Sequence, residues 1–351
     1  MKKMKRQQQK KKRMLGLGIE STAHTFSCAI MEKTGYDKGR ILSDVRRVYR
    51  PADGEGIHPR EASRHHVEHA PDVLGRSLSE AGVSIRDVDA ISYAAGPGLG
   101  PCLRVGAVVA RSLASFHKIP IYPVNHAIGH IELGKLLTGA KNPLVLLVSG
   151  GHTMLLAFLD RQWRVFGETL DITLGQLLDQ FGRSLGLASP CGRIIEEMAL
   201  PPQPASAADA RQPGYVPLPY TVKGNDVSFS GLLSAAKSAA ASDRHAACFS
   251  LQETAFAMIG EAVERALSFT GKRELMVVGG VAANRRLSAM ISDVCRRHSC
   301  RFFVVPLHYA GDCGSQICWT GLLESNVRPG AEMKDTLVTQ SWRLDSVRIE
   351  Y

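Results

Sequence analysis

The same short segment occurs twice in this chain, each time between two apolar, strand-like runs. STAHT occupies residues 21–25, between MLGLGIE and FSCAIM, and SGGHT occupies residues 149–153, between PLVLLV and MLLAFLD. The match at three of five positions is weak evidence alone, but the shared strand-turn-strand context is more specific. The repeat therefore predicts two domains that each open with a β-hairpin.

Strand-like and helical runs alternate between and after the hairpins. DAISYAAG reads as a buried strand, VGAVVARSLASF as a helix, IPIYPVNH as a strand and turn, and HAIGHIELGKLL as a helix. Farther along, SLQETAFAMIGEAVERAL has helical spacing, and LMVVGGVAANRRLSAMI reads as a strand, a Gly-Gly turn and a helix. Strands that alternate with helices predict an α/β architecture.

The repeat and the alternation together predict a duplicated fold with a cleft between its halves. We place lobe I at residues 14–140, with the C-terminal segment 306–351 packing back on it, and lobe II at residues 141–305. The Pro- and Ala-rich segment 201–219 breaks the periodic pattern and predicts an exposed loop inside lobe II.

The net charge of +10 is concentrated at one end of the chain. Residues 1–13 hold eight Lys or Arg and no acid, so the rest of the chain has 35 basic and 33 acidic residues. This composition predicts a disordered basic tail, and three roles for it stay open: a solubilising extension, an arm that contacts RNA, and a nuclear signal.

No run reaches the roughly 18 apolar residues of a membrane helix, and the tail lacks the apolar segment of a secretory signal. We therefore expect a soluble protein of the cytoplasm, and of the nucleus if the tail is a nuclear signal. The eight cysteines form no C-x-x-C pair and are mostly flanked by apolar residues. They predict buried free thiols in a reducing compartment.

Glycine-rich turns are the first candidates for a binding site. Gly150 and Gly151 let backbone amide groups approach a ligand closely, successive N–H groups in such a turn bind anions, and Ser149 and Thr153 add hydroxyl donors. GGVAAN offers a comparable turn, with Asn284 at the start of the next helix. Each turn alone is equally explained as a tight connection, but together they favour a nucleotide cleft.

A histidine pair is the second candidate. His126 and His130 have the i, i+4 spacing that puts two imidazoles on one helical face, where they can share a metal ion. The pair lies at a strand-to-helix turn, where active sites of α/β proteins gather. His65 and His69 have the same spacing, but they lie in a polar helix and read as a solvated face.

A third metal ligand has to come from elsewhere, and a carboxylate is the expected type. Asp179, Glu196 and Asp312 each lie near glycines. Their spacing does not choose among them.

A series of segments in chain order resembles the universal tRNA threonylcarbamoyladenosine transferases. The segments are GIESTAHT, GIHPREASRHH, GPGLGPCLR, VNHAIGHIE, VSGGHT, FGETLD, LPYTVKGNDVSFSGLL, CFSLQETAFAM, GGVAANRRL and RLD. They run from about residue 15 to the C-terminus. GIESTAHT, GIHPRE and GPGLGP are similar to the archaeal and eukaryotic cytosolic branch, the catalytic subunit of the KEOPS complex, and we assign the chain to it. The His of SGGHT is more similar to the bacterial and mitochondrial branch.

The resemblance implies an actin-like, sugar-kinase-like ATPase fold with two ribonuclease-H-like lobes and a nucleotide in the cleft. It implies transfer of a threonylcarbamoyl group from threonylcarbamoyl-adenylate to N6 of the adenosine beside the anticodon, in tRNAs that read codons beginning with A. Its implied partners are tRNA, a kinase-like KEOPS subunit and small accessory subunits.

The resemblance also implies site residues. The implied ligands of one divalent metal ion, iron or zinc, are His126, His130 and Asp312. The implied nucleotide contacts are Leu147, Val148, Ser149, Gly150, Gly151, Asp179, Gly192, Glu196 and Asn284.

The chain departs from the family pattern at several of these places. Leu147 stands where many members have a Tyr that can reach the metal, so three protein ligands are expected. Cys313 replaces an Asn beside the metal Asp and is either an extra soft ligand or a buried thiol. The other departures are Cys191 and Arg193 in a usual Gly-Gly-Pro run, Ser21 for a common Gly, and Ala282 and Ala283 for a Gly-Cys pair.

The expected chemistry is a direct transfer. A metal ion would act as a Lewis acid and template, and the backbone donors of SGGHT, with those of STAHT, would stabilise the phosphate. No Ser-His-Asp or Cys-His set is evident, so no covalent enzyme intermediate is expected. Two other classes stay open: an actin-like nucleotide-binding scaffold or ATPase, and a metallopeptidase, although Ala127 leaves H-E-x-x-H without its base.

Overall fold

A computed structural model describes residues 13–52, 54–200 and 214–351. The predicted basic tail therefore lies outside the described residues except for Arg13, and so does the predicted loop 201–219 up to residue 213. Residues 214–219 form neither helix nor strand.

Strands and helices alternate along the described residues. The strands are β1 (Met14–Glu20), β2 (Thr25–Lys33), β3 (Gly39–Val48), β4 (Ala90–Gly96), β5 (Ile121–Asn125), β6 (Leu144–Val148), β7 (Thr153–Leu159), β8 (Gln162–Glu168), β9 (Val222–Lys223), β10 (Asp226–Val227), β11 (Glu274–Val278) and β12 (Arg301–Val304). The helices are α1 (Pro59–Ala81), α2 (Gly100–His117), α3 (His126–Thr138), α4 (Leu174–Ser184), α5 (Gly192–Met198), α6 (Ser230–Ala239), α7 (Arg244–Thr270), α8 (Arg285–Arg297), α9 (Leu307–Ala310) and α10 (Gly314–Glu324).

The chain forms two compact units. The first unit runs up to Tyr49 and resumes at Ile57–Leu136 and Asp312–Tyr351, and the second unit comprises Arg50–Gly56 and Leu137–Gly311. The predicted lobes differ from these units at residues 50–56, 137–140 and 306–311, all of which cluster with the second unit.

The first unit is built on a five-stranded sheet in the order β3-β2-β1-β4-β5. β1, β2 and β3 are antiparallel neighbours, whereas β1, β4 and β5 run parallel. Leu17 and Ile19 of β1 join the hydrophobic core that α1 and α2 complete. Gly16 and Gly18, which alternate with them and so lie on the opposite face, contact α10.

Gly18 brings α10 against the backbone of β1. A Cβ atom at this position would lie 2.3 Å from the carbonyl oxygen of Gly314 and 2.4 Å from the backbone nitrogen of Cys318. Only a residue without a side chain permits this approach, so Gly18 fixes the start of α10 close to the end of β1.

The second unit repeats the same topology. Its five-stranded sheet has the order β12-β11-β6-β7-β8, with β6, β7 and β8 antiparallel and β6, β11 and β12 parallel. Apolar residues of α4 to α8 pack against this sheet in one continuous core. The predicted α/β duplication is therefore confirmed, and both hairpins lie where the sequence places them.

Some local details differ from the sequence analysis. Each hairpin continues into a third strand, β3 or β8, which the analysis did not predict because polar residues interrupt both segments. α2 begins at Gly100, inside the segment predicted as a Gly-Pro loop. Its Pro101 lies in the first helical turn, where the missing N–H group costs nothing.

All eight cysteines are buried and unpaired, as predicted. None of the described helices combines the length and apolar composition needed to cross a membrane.

Candidate metal centre and glycine turns

The two candidate histidines lie at the start of α3, which follows β5 without a connecting loop. The Asn125 side chain caps this helix, because its Oδ1 accepts hydrogen bonds from the backbone N–H groups of Ala127 (3.0 Å) and Ile128 (3.3 Å). The rings of His126 and His130 are buried and their centroids are 4.7 Å apart. The predicted sharing of one helical face is confirmed.

Asp312 completes a cluster with these histidines in the first unit. Its Oδ1 lies 3.6 Å from Nε2 of His126 and 3.4 Å from Nε2 of His130. One ligand atom from each residue lies within 4.8 Å of the others, and this is the only such cluster of three found among the described residues. Asp179 and Glu196, which spacing could not exclude, belong to the second unit.

Two side chains of the sheet hold Asp312 in place through the start of α10. The hydroxyl of Ser27 accepts a hydrogen bond from the Gly314 N–H group (2.9 Å), and Asp44 Oδ2 accepts one from the Ser315 N–H group (3.0 Å). The Asp44 side chain is only 2% exposed. Asp44 therefore acts as an N-terminal cap supplied by a distant strand, a role that the sequence did not reveal.

A buried carboxylate lies on the other side of His126. Glu20 Oε2 is 2.8 Å from Nδ1 of His126. Burial alone lowers the pKa of this imidazole, but the Glu20 carboxylate and then Asp312 raise it to about 9. The Glu20 carboxylate therefore stabilises a hydrogen on Nδ1 of His126, the nitrogen that it faces.

The other two members of the cluster respond differently to burial. Burial lowers the pKa of His130 and outweighs the opposing effect of Asp312. Burial would raise the pKa of Asp312, but the two imidazoles, followed by His24, hold it well below its usual range. Asp312 is thus an ionised carboxylate, the form that binds a metal.

The geometry of the cluster fits a metal ion. Nε2 of His130 is buried and has no hydrogen-bond partner within the part of the chain that the structure describes. Two ligands at about 2.1 Å from a tetrahedral ion lie about 3.4 Å apart, close to the 3.4 and 3.6 Å separations from Asp312 to the two imidazoles. Two imidazoles and a carboxylate suit iron or zinc.

The departures from the family pattern at this centre have simple structural consequences. Cys313 is buried, its thiol donates to Oε1 of Gln316 (3.6 Å), and it is absent from the ligand cluster. Leu147 is fully buried in β6 and has no ligand atom. The candidate cluster therefore consists of three side chains, those of His126, His130 and Asp312.

In the second unit, two glycine-rich turns meet at the ends of the parallel strands β6 and β11. Gly279 has φ +95°, and a Cβ atom there would lie 2.3 Å from the carbonyl oxygen of Val148. Gly150, Gly151 and Gly280 are exposed and have open space where a Cβ atom would be. The ends of parallel strands are the usual place for ligands in α/β proteins.

The SGGHT turn uses most of its N–H groups internally. The Ser149 hydroxyl accepts hydrogen bonds from Gly151 N–H (3.2 Å) and His152 N–H (3.0 Å), and Ser149 N–H donates to the His152 carbonyl (2.8 Å). Gly150 N–H has no protein partner within the described ranges. The turn thus offers fewer free donors than the sequence suggests.

The remaining predicted nucleotide contacts also have partners within the second unit. Asp179 accepts hydrogen bonds from Ser189 and from the backbone of Cys191, and Glu196 accepts one from Arg285 N–H (2.8 Å). Asn284 caps α8 and donates to Gln252 Oε1 at 2.8 Å.

Position 191 shows how the altered Gly-Gly-Pro run is accommodated. Cys191 fits because the adjacent α4 residue is Gly182, where a Cβ atom would lie 2.3 Å from that of Cys191. The next residue, Gly192, is the first residue of α5. Arg193 is exposed and forms an ion pair with Glu197.

The fold places the protein in a structural class. HypF from T. kodakarensis superposes with a TM-score of 0.61 over 90% of this chain and 48% of that chain, at 12% identity. Full-length HypF in a phosphate- and nucleotide-bound form gives 0.59 over 91% of this chain and 56% of that chain, at 10% identity. The protein has the α/β, actin-like ATPase fold expected from its sequence.

The family follows from the sequence comparisons. Residues 40–319 match the model of tRNA N6-adenosine threonylcarbamoyltransferase. A relative of that name from Caldivirga maquilingensis is 44% identical over 96% of this chain and 98% of its own length. Another, from Hyperthermus butylicus, is 46% identical over 95% of this chain and 91% of its own length. The chain belongs to the tRNA N6-adenosine threonylcarbamoyltransferase family, as its motifs predict.

A longer relative matches as well. A probable bifunctional tRNA threonylcarbamoyladenosine biosynthesis protein from Methanothermobacter thermautotrophicus is 44% identical over 96% of this chain, which spans 61% of that protein.

Proposed function

We propose that this chain transfers the threonylcarbamoyl group of threonylcarbamoyl-adenylate to N6 of the adenosine beside the anticodon, in tRNAs that read codons beginning with A. Family membership over nearly the whole chain supports a tRNA-modifying transferase. The observation that carries the chemistry is the buried cluster of His126, His130 and Asp312, in which Nε2 of His130 lies 3.4 Å from Asp312 Oδ1 but makes no hydrogen bond within the described residues.

The three residues of this cluster hold one divalent metal ion, iron or zinc. When bound, this ion supplies a Lewis acid and a template for substrate oxygens. The Asp312 side chain is 15% exposed, whereas those of His126 and His130 are 7% and 2% exposed. Substrate oxygens therefore approach the cluster from the side of Asp312.

The glycine turns of the second unit bind the adenylate part of the substrate. The exposed backbone at Gly150, Gly151 and Gly280 admits a phosphate without steric hindrance, and Gly150 N–H is a donor for it. Leu147 and Val148 contribute only backbone, because their side chains are buried in the core. The predicted contacts at Asp179, Glu196 and Asn284 act mainly by shaping the site, since their side chains already have partners, and Gly192, at the start of α5, contributes backbone.

The transfer is direct. N6 of adenosine attacks the carbonyl carbon of the threonylcarbamoyl group, the bond from that carbon to the phosphate oxygen breaks, AMP leaves, and N6 loses a proton. Isolation of a threonylcarbamoyl-protein adduct that turns over to product, detected by mass spectrometry, would contradict this mechanism.

A kinase-like subunit and small accessory subunits of the KEOPS type are proposed partners, together with tRNA. Outside residues 1–13 the chain has 35 basic and 33 acidic residues, a balance that leaves much of the electrostatic attraction for tRNA to such partners. The isolated chain should accordingly be weakly active, and activity should rise when the partners are added.

The deciding experiment is depletion of this protein in its own cells, followed by quantification of threonylcarbamoyladenosine in total tRNA by mass spectrometry. The modification should fall and return when the wild-type gene is restored. Unchanged levels would leave the scaffold or ATPase alternative. The metallopeptidase alternative is weaker, because Ala127 occupies the place of the general base in H-E-x-x-H.

A further inference from the structure

We propose that Glu20 is a positioning residue for His126: its carboxylate fixes the hydrogen on Nδ1 and directs Nε2 toward His130 and Asp312. This inference rests on the metal centre of the proposed function and extends it to a residue outside the ligand set.

Glu20 is a buried acid at the end of β1, with 0% of its side chain exposed. A buried carboxylate is costly unless it is paired and hydrogen-bonded. Its one ion pair within the described ranges is with His126. The acid is therefore placed to serve that imidazole, although the Thr22 N–H group and the Gln316 side-chain amide also donate hydrogen bonds to it.

Both carboxylate oxygens are hydrogen-bonded, which fixes their orientation. Oε1 accepts from the backbone N–H group of Thr22 (2.6 Å), and Oε2 accepts from Nδ1 of His126 (2.8 Å). Since Thr22 belongs to the STAHT turn, the turn that follows β1 holds the carboxylate against the imidazole.

Other polar groups also lie near Nδ1 of His126, so the carboxylate decides which nitrogen carries the hydrogen. The amide nitrogen Nε2 of Gln316 lies 3.1 Å from Nδ1 and 3.4 Å from Glu20 Oε2, to which it donates, and the Thr22 hydroxyl lies 3.4 Å from Nδ1. An amide NH₂ group only donates, so it favours a bare Nδ1 and a hydrogen on Nε2, where it blocks a metal. An ionised carboxylate only accepts, so it favours a hydrogen on Nδ1 and a lone pair on Nε2.

A histidine that ligates a metal usually donates its other N–H group to such an acceptor, and loss of the acceptor typically weakens metal affinity 10- to 100-fold. Glu20→Gln should therefore weaken metal binding by roughly this factor. The effect acts through His126, because Glu20 Oε2 accepts its hydrogen bond from Nδ1 of that residue.

The test uses the full chain, freed of metal with a chelator and titrated with Co(II), with binding followed by the visible absorption of the bound ion. Glu20→Gln should bind roughly 10- to 100-fold more weakly. The exchanged pair Glu20→Gln with Gln316→Glu should recover affinity, because it again places a carboxylate beside Nδ1. A residue needed only for folding would show no such rescue.

Glu274→Gln is the matched control. Glu274 is also a buried carboxylate that accepts backbone hydrogen bonds, but it lies in the second unit. Its replacement should leave Co(II) affinity unchanged.

The outcomes separate this inference from the metal centre itself. If the wild-type chain binds no Co(II), or if His126→Ala binds it as tightly as wild type, the proposed metal centre fails. If His126→Ala loses binding but Glu20→Gln matches wild type, only the role of Glu20 fails. If Glu20→Gln does not fold, the exchanged pair decides: near wild-type affinity supports the inference, and weak binding or failure to fold overturns it.

Discussion

The two repeated turns occupy the same place in the two units but differ in what surrounds them. In the first unit, Ser21 and Thr22 are buried, and the Thr22 carbonyl accepts a hydrogen bond from Leu99 N–H at 2.7 Å. In the second unit, Gly150 and Gly151 are exposed, with open space where side chains would be.

The difference in exposure suits the two turns to different roles. The first turn is enclosed by its own unit and contacts the cluster of His126, His130 and Asp312 through Thr22 and Glu20. The second turn presents backbone to solvent, as the proposed binding of a phosphate requires. If both proposals hold, one copy of the hairpin supports the metal ligands and the other copy binds the substrate.

The largest expected effect separates the two functions. His130→Ala should abolish metal binding and reduce transfer by roughly 10³-fold or more, because several kcal/mol of transition-state stabilisation depend on the metal. Calorimetric binding of AMP should be unchanged, since the glycine turns lie in the second unit. Metal content, transfer rate and AMP affinity are the measurements. If His130→Ala loses both the metal ion and AMP binding, metal binding and AMP binding are not independent, and this prediction is wrong.

The matched control is His69→Ala. His69 has the same i, i+4 spacing from His65, and the two rings stack at 4.2 Å, but neither belongs to the ligand cluster. This variant should keep its metal ion.

A pH effect should appear at the first turn. His66 Nε2 lies 3.1 Å from the Ala23 carbonyl, and burial, followed by the charge of His65, lowers the pKa of His66 from 6.5 to about 4. The unfolded chain therefore binds this proton at a higher pH than the folded chain. The contribution to stability is complete above pH 6.5 and is lost as the pH falls to about 4, a loss of about 3 kcal/mol.

Urea unfolding of wild type and His66→Gln between pH 7 and pH 4 checks this expectation. The fall in the free energy of unfolding should be smaller in the variant. Hydroxyls of Ser149 and Thr173 hold the second turn and do not titrate in this range. Equal slopes in the two proteins would rule out His66 as the acid-sensitive group.

Each of the two turns is in close contact with a glycine that lies outside it. A Cβ atom at Gly98 would lie 2.6 Å from the Thr22 carbonyl oxygen, and one at Gly175 would lie 2.6 Å from that of Ser149. Gly98→Ala and Gly175→Ala should each cost about 2 kcal/mol of folding free energy. Only Gly98→Ala should also weaken Co(II) binding, because it moves the support of Glu20.

Gly150→Ala is the control for these variants in denaturant unfolding. It has open space around the added methyl group and should change stability by less than about 0.5 kcal/mol. A large cost at Gly150 would show that the second turn is as enclosed as the first.

The smallest effect compares the first residue of each turn. The Ser149 hydroxyl accepts two backbone hydrogen bonds, so Ser149→Ala should cost about 1 kcal/mol. The buried Ser21 hydroxyl has no partner in the part of the chain that the structure describes, so Ser21→Ala should be neutral or slightly stabilising. Thermal unfolding of the two variants measures the difference, and equal destabilisation would mean that Ser21 has a partner.

Features carried by local patterns could be predicted from the sequence. Continuous apolar runs identified β1 and β6, and i, i+4 spacing identified the pair His126 and His130. The carboxylate Asp312 required the resemblance, because its distance along the chain from the histidines says nothing about proximity in the fold.

Features that depend on tertiary contact could not be predicted. Glu20 and His126 are 106 positions apart, and Asp44 and Ser315 are 271 positions apart, so no local pattern connects either pair. The use of the SGGHT amide groups inside their own turn was also hidden, because it depends on the orientation of the Ser149 hydroxyl.

The contact between β1 and α10 has a consequence for how this protein can vary during evolution. A Cβ atom at Gly18 would meet the Gly314 carbonyl oxygen at 2.3 Å, and one at Gly314 would meet the Ala29 backbone nitrogen at 2.6 Å. Neither glycine can mutate alone without separating strand from helix, and Gly314 is only two residues from Asp312. Selection on the proposed metal centre should therefore keep both positions glycine, although neither residue has a side chain.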